Sequence, residues 1–250
     1  MKKLFLVTAL IATLVPVIFV IQEVGGVENW RGVLPKGTTD SLYYYARIHE
    51  VVDGHPLIGN PYAYEHRGTL SPAFFLPDVV SSIPMLLGIP FNIAVVINVF
   101  VWGFIFLMLS FTLLRLLQMP KGWSFLFSVL VYVSAYSFML RPTIMQIVYP
   151  VFLAFLIALL KFLYEPNERQ RIIWLSLAAA LTFYTYTYLS YFALLVFAPI
   201  FFWYLFSRQF KELRSLVLSG MLTAILIIPF GIYTLLQMSG PYYLDRKSVV

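Results

Sequence analysis

Apolar residues run along this chain in blocks, separated by short breaks that carry proline or charge. The first block is Leu4 to Ile21. Six more follow: Asn92 to Leu117, Ser124 to Leu140, Thr143 to Tyr164, Ile172 to Tyr188, Leu189 to Ser207 and Ser215 to Gln237. A helical crossing of a bilayer needs about 20 apolar residues, so each block predicts one spanning helix. The runs are continuous rather than alternating, which excludes a membrane β-barrel. The expected fold is all-α, a polytopic transmembrane helical bundle of about seven spans.

One stretch does not fit the block pattern. Pro72 to Ile89 is apolar enough to span, yet it contains Pro72, Pro77, Pro84, Asp78 and the pair Ser81-Ser82. Basic residues decide its placement, because they favour the cytoplasmic side of a membrane. If this stretch does not cross, Lys2/Lys3, Arg115/Lys121, Lys161/Arg169/Arg171 and Arg208/Lys211/Arg214 all lie on one side. If it crosses, the last three clusters fall outside. It is therefore read as a helix in the outer interface, with Phe74, Phe75, Val79, Ile83 and Leu86 toward lipid or the bundle. The consequence is one extracytoplasmic loop, 22–91, inside a single transmembrane module, 1–250. The N-terminus is expected in the cytoplasm and the protein in the plasma (inner) membrane, multi-pass.

The first block follows Lys2 and Lys3, a pattern shared by cleaved signal peptides and retained signal anchors. No small-x-small cleavage site follows Ile21, which favours a retained helix. Composition agrees with a membrane class: 61% of residues are hydrophobic and 11% charged, with a mean hydropathy of +0.85. The net charge of +6 is explained by the cytoplasmic clusters rather than by nucleic acid, so no nucleic-acid partner is expected. There is no cysteine, hence no disulfide or thiolate metal site, and no HExxH, GxGxxG or phosphate-loop pattern.

Ionisable residues concentrate in the loop. All three histidines (His49, His55, His66) and seven of the eleven acidic residues lie between Glu23 and Asp78. Thr38-Thr39-Asp40, then Ser41 to Asp53, then Gly54, predicts a capped helix with a glycine stop. Asp40 falls in or just before the first turn, where the helix dipole favours its ionised form. At 100° per residue Tyr44 and Arg47 share its face, which would give a carboxylate, a phenol and a guanidinium in one row. Each residue also has a plain structural alternative. Asp40 could serve as an N-cap, Tyr43 to Tyr45 as an interfacial belt, Arg47 as a partner of Glu50 or Asp40, and His55 and His66 as turn residues. The histidine spacings match no helical metal-ligand pair, which argues against zinc.

The run Asp40-Ser41-Leu42-Tyr43-Tyr44-Tyr45-Ala46-Arg47, then Glu50, Gly54-His55-Pro56 and Asn60-Pro61-Tyr62, resembles the first extracytoplasmic loop of the GT-C superfamily of membrane glycosyltransferases. It is similar to the Asp-Pro-Tyr-Tyr...Arg...Glu...Gly run of oligosaccharyltransferase catalytic subunits and to loops of lipid-linked-sugar transferases. It differs in having Ser41 where proline is usual and in placing arginine one residue later.

The resemblance implies a module of seven transmembrane helices with juxtamembrane helices in a long first loop. It also implies transfer of a sugar from a polyprenyl-phosphate carrier, with Asp40 as the catalytic carboxylate. Substrate-binding candidates are then Tyr44, Arg47, His55, Glu65, His66, Arg67 and Arg141. A guanidinium would stabilise the departing phosphate, and Arg141 stands alone between two crossings, where snorkelling at a helix end is the plain alternative. The turn around Arg141 lacks the acidic partner of metal-dependent members, so no cofactor is expected and a metal-independent mechanism is favoured over a divalent ion. Family members usually continue into further helices, so the chain is expected to lack a C-terminal part. The expected partners are a polyprenyl-phosphate-linked sugar donor and the lipid bilayer. Two other classes stay open: a transporter or lipid flippase, and a non-catalytic membrane subunit.

Overall fold

The structure, a computed structural model, describes residues 2–25, 41–57, 70, 75–135 and 141–238. Every element among them is helical: α1 (Lys2–Gly25), α2 (Ser41–Val52), α3 (Leu76–Leu86), α4 (Phe91–Leu116), α5 (Lys121–Ser134), α6 (Ile144–Tyr164), α7 (Arg169–Thr185), α8 (Thr187–Phe206), α9 (Phe210–Leu226) and α10 (Ile228–Met238). Among the described residues, three helices are long and apolar enough to cross a membrane. They are Phe91–Leu116, Gln146–Tyr164 and Tyr188–Phe206, and α9 with α10 makes a fourth if the bent pair is one span. The outward faces are apolar, with Leu10, Ile93, Trp203 and Phe206 all more than half exposed. Apolar surface on this scale suits lipid as the solvent.

Two features depart from the block pattern, each for a local reason. The stretch Ser215 to Gln237 bends by 41° between α9 and α10. Pro229 stands in the first turn of α10, has no N–H to give to the previous turn and clashes with it, so the helix restarts there. The Ile172 to Tyr188 block ends early because Tyr186 is extended, at φ −164°, between α7 and α8.

The chain divides into two compact units, Met1–Ser71 with Phe75–Pro150, and Pro72–Phe74 with Val151–Val250. In the first, α4 packs against α1, α3 and α5, and α2 packs on α3. Gly103 of α4 lets Tyr132 of α5 approach, for a Cβ there would meet the phenol oxygen at 2.6 Å and the ring at 3.0 Å. Tyr132 is fully buried and donates its hydroxyl to the Ala12 carbonyl of α1 at 3.3 Å, joining three helices at one point.

In the second unit, α7, α8 and α9 enclose Phe155, Phe162, Leu175, Ala179, Ala193 and Leu216. Ser176 of α7 and Ser219 of α9 exchange a hydroxyl hydrogen bond of 3.1 Å, and Thr223 donates to the Ser176 carbonyl at 3.4 Å. Small hydroxyl residues let helices approach closely while supplying polar contacts that lipid cannot.

Candidate functional site

The site is built on α2. Its buried residues Ser41, Tyr44, Tyr45, Ile48 and Val51 recur at helical spacing and form one inward stripe, while Leu42 and His49 face out. The helix stops as its sequence directs. Gly54 has φ +93°, its N–H bonds the Val51 carbonyl, and the His55 N–H bonds that of Glu50, so the last carbonyls are satisfied. Phe91, the first residue of α4, packs between Tyr45 and His49, with ring centroids 5.1 and 4.7 Å away.

Helix α3 is inverted relative to a water-soluble helix. Its buried face is polar, with Asp78, Ser81 and Ser82, while Ile83 and Leu86 are exposed. Its 11 residues reach about 17 Å at 1.5 Å each, well short of the roughly 30 Å of hydrocarbon in a bilayer. The exposed apolar face and buried polar face suit a helix lying against lipid on one side and protein on the other. Asn98 of α4 secures it by donating to the Ser81 carbonyl at 2.8 Å.

The polar face of α3 meets α2 through Arg47. Its Nε and Nη2 donate to Asp78 Oδ2 at 3.0 and 2.6 Å, and its Nη1 donates to the Tyr43 hydroxyl at 3.2 Å. Arg47 is 1% exposed and Asp78 2%. Burial pushes the Asp78 carboxyl above the usual carboxylate range, opposed by the charge and hydrogen bonds of Arg47. Burial also works against the Arg47 charge, but Asp78 and Tyr43 outweigh it and hold the guanidinium protonated. Asp78 Oδ1 and Ser81 Oγ are buried without a hydrogen-bond partner among the described residues.

A second arginine meets α2 one residue along. Arg141 Nη2 donates to the Tyr44 hydroxyl at 3.2 Å, with its guanidinium carbon 5.5 Å from the ring centroid. The Tyr43 and Tyr44 rings meet edge to face at 5.4 Å. Adjacent tyrosines thus each receive an arginine, one from within α2 and one from the turn preceding α6.

Of the residues singled out from the sequence, the structure brings Tyr44, Arg47 and Arg141 to this neighbourhood. His55 lies in the turn after α2, where its backbone N–H closes the helix. Asp40, Glu65, His66 and Arg67 lie outside the described residues. Among the described residues, no three His, Asp or Glu side chains converge as metal ligands would. Asp78 is the partner of Arg47 to which the spacing along α2 does not point. The available signal was a single carboxylate in an otherwise apolar helix, a group that burial obliges to find a cation. No protein-family model, curated protein or solved structure matches this sequence.

Proposed function

We propose that this chain is an integral membrane glycosyltransferase of GT-C type. It moves a sugar from a polyprenyl-phosphate-linked donor to an acceptor at the extracytoplasmic face. The observation that carries the reading is α2 itself. The helix presents Tyr44 and Arg47 at the spacing read from the loop motif, and it is secured to α3 by a buried ion pair and to the turn before α6 by Tyr44 and Arg141. Catalytic groups need such fixed support, because misplacement by about 1 Å can cost about 100-fold in rate.

In the proposed mechanism Asp40, the residue immediately before α2 in sequence, is the base that takes the acceptor proton. Departure of the carrier phosphate develops negative charge, which a fixed guanidinium stabilises. Arg141 suits that task better than Arg47, whose donors are directed at Asp78 and Tyr43. The accompanying topology has seven crossings, with α1, α5 and α7 added to the long spans, loop 22–91 outside and the N-terminus in the cytoplasm of the inner membrane.

A transporter is the second reading, favoured by the 41° break between α9 and α10. Broken helices in transporters put polar or ionisable groups at the break. Here the break is Leu226-Ile227-Ile228-Pro229, which is apolar throughout. Sugar transfer from a lipid-linked donor, measured on purified protein with and without Asp40→Asn, separates the two. An enzyme loses transfer in the variant, whereas a transporter moves substrate and transfers nothing.

A further inference from the structure

In the second unit α7, α8 and α9 leave an open groove of about 430 Å³, bordered among others by Ala193, Phe201 and Phe202 of α8 and by Val217, Gly220 and Ala224 of α9. Small residues open it, since a Cβ added at Gly220 would meet nothing within 4 Å. Thr223 is the one residue with a polar side chain along it, and its hydroxyl is spent on the Ser176 and Ser219 carbonyls at 3.4 and 2.9 Å. The groove has no side-chain hydrogen bond left to offer. Its surface suits hydrocarbon.

Size narrows the occupant further. The groove follows α9 from Val217 to Ile227, about 15 Å at 1.5 Å per residue. A volume of 430 Å³ spread over that length leaves a cross-section of about 30 Å². A helix with its side chains, at least about 10 Å wide, needs more than twice that area. A hydrocarbon chain, whose carbons keep about 4 Å from their neighbours, fits within it.

Charge supplies the other half of the match. The end of the groove marked by Phe202 and Val217 leads to the turn between α8 and α9, where Arg208, Lys211 and Arg214 are all exposed. Arg214 stands three residues before Val217 on α9, about 4.5 Å farther along the axis. Acidic side chains near this turn are engaged elsewhere. Glu165 and Glu168 are held by Arg171, and Glu212 accepts from Asn167 at 3.4 Å. Among the described residues none of the three cations forms an ion pair. Trp203, 66% exposed beside the same end, is the residue type that collects at the level of lipid headgroups.

We propose that this groove holds one acyl chain of an anionic phospholipid, with the headgroup over the basic turn Arg208–Arg214. The chain fills apolar space that α7, α8 and α9 leave open, and the cations attract the headgroup through their summed charge. The functional reading above puts its sugar carrier at the extracytoplasmic face, whereas the basic turn belongs to the other side, so a phospholipid of that leaflet is the occupant. The assignment needs a bilayer around the chain and does not need the glycosyltransferase.

The test is native mass spectrometry of the full chain in detergent, titrated with phosphatidylglycerol and with phosphatidylcholine of the same acyl chains. Each basic residue near an anionic lipid strengthens attachment about fivefold, so phosphatidylglycerol should bind its first site at least about tenfold more tightly. Changing Arg208, Lys211 and Arg214 together to Gln should abolish that preference and leave phosphatidylcholine affinity unchanged. Gly220→Leu should fill the groove and weaken both lipids about tenfold. Leucine is the better helix former and would extend into open space, so this variant should melt no lower than the parent. Ala224→Leu, made separately, should weaken both lipids in the same way. Equal affinity for the two lipids in the parent, or a preference that survives loss of the three cations, overturns the proposal. So does phosphatidylglycerol affinity unmoved in both leucine variants, which would leave the lipid held by charge alone. A parent dimer that Gly220→Leu separates would give the groove to a second copy of the chain. Farnesyl phosphate binding more tightly than phosphatidylglycerol, and weakened by the same leucine variants, would give it to an isoprenoid carrier. Either result also overturns the proposal.

Discussion

Arg47 and Asp78, 31 positions apart, form a buried ion pair in which two guanidinium nitrogens converge on one carboxylate oxygen at 3.0 and 2.6 Å. The pair fixes the register of α2 on α3. Burying both charges is expensive, and their attraction repays the cost only while both are present. Removing either partner strands the other.

Arg47→Met and Asp78→Leu, made singly, should each destabilise the protein by about 3–5 kcal/mol, whereas the double variant should recover most of that loss. Unfolding of the purified protein in detergent, followed by circular dichroism, gives the cycle. Additive losses in the double variant would show that the two residues do not support each other.

The same pair sets a pH dependence. The Asp78 carboxyl is held above its ordinary value by burial, so the folded protein binds that proton more tightly than the unfolded chain does. A group of this kind contributes fully below its unfolded value, about 4, and the contribution is lost as pH rises through the folded value. In Arg47→Met the opposing cation is gone and the upward shift grows. The variant's stability deficit should therefore be smallest in acid and largest near neutrality. A deficit independent of pH between about 4 and 7 would contradict the assignment.

Gly103→Ala should destabilise the first unit by about 1–3 kcal/mol, since the added methyl displaces Tyr132 from a filled site. The preference of helices for alanine, about 1 kcal/mol, offsets only part of this. Combining it with Tyr132→Phe, which removes the phenol oxygen nearest the new Cβ, should restore part of the loss in thermal unfolding.

The bend between α9 and α10 is attributed to Pro229. Because the chain has no cysteine, spin labels can be placed singly at Met221 and Leu235, both exposed. Pro229→Leu should lengthen and narrow the distance distribution between them by pulsed electron resonance, as a straighter helix would. An unchanged distribution would assign the bend to packing instead.

What the sequence made legible was local. Alternation of face and a glycine requiring positive φ located α2 to within a residue at its end, and Pro77, Asp78 and Pro84 marked out the interrupted apolar stretch in which the short helix α3 forms. Partners distant in sequence were not legible. Nothing in the motif around Arg47 points to Asp78, and a helical wheel offers Asp40 or Glu50 instead. Their meeting depends on how α3 rotates, which follows from Asn98 holding the Ser81 carbonyl and from Ile83 and Leu86 facing out. The break at Tyr186 falls close to the boundary expected between Tyr188 and Leu189, whereas the bend at Pro229 was hidden, because apolar composition continues across it.

The central claim is that loop chemistry beside α2 transfers sugar from a lipid carrier, and a single radiolabel experiment tests it most directly. Purified full-length protein is given a polyprenyl-phosphate-linked radiolabelled sugar and acceptor from its own membranes, and product is compared for the parent, Asp40→Asn and Asp40→Glu. The account predicts product from the parent, a loss of about 100-fold or more in Asp40→Asn, and partial recovery in Asp40→Glu, which restores a carboxylate. Equal product from the parent and Asp40→Asn would contradict it.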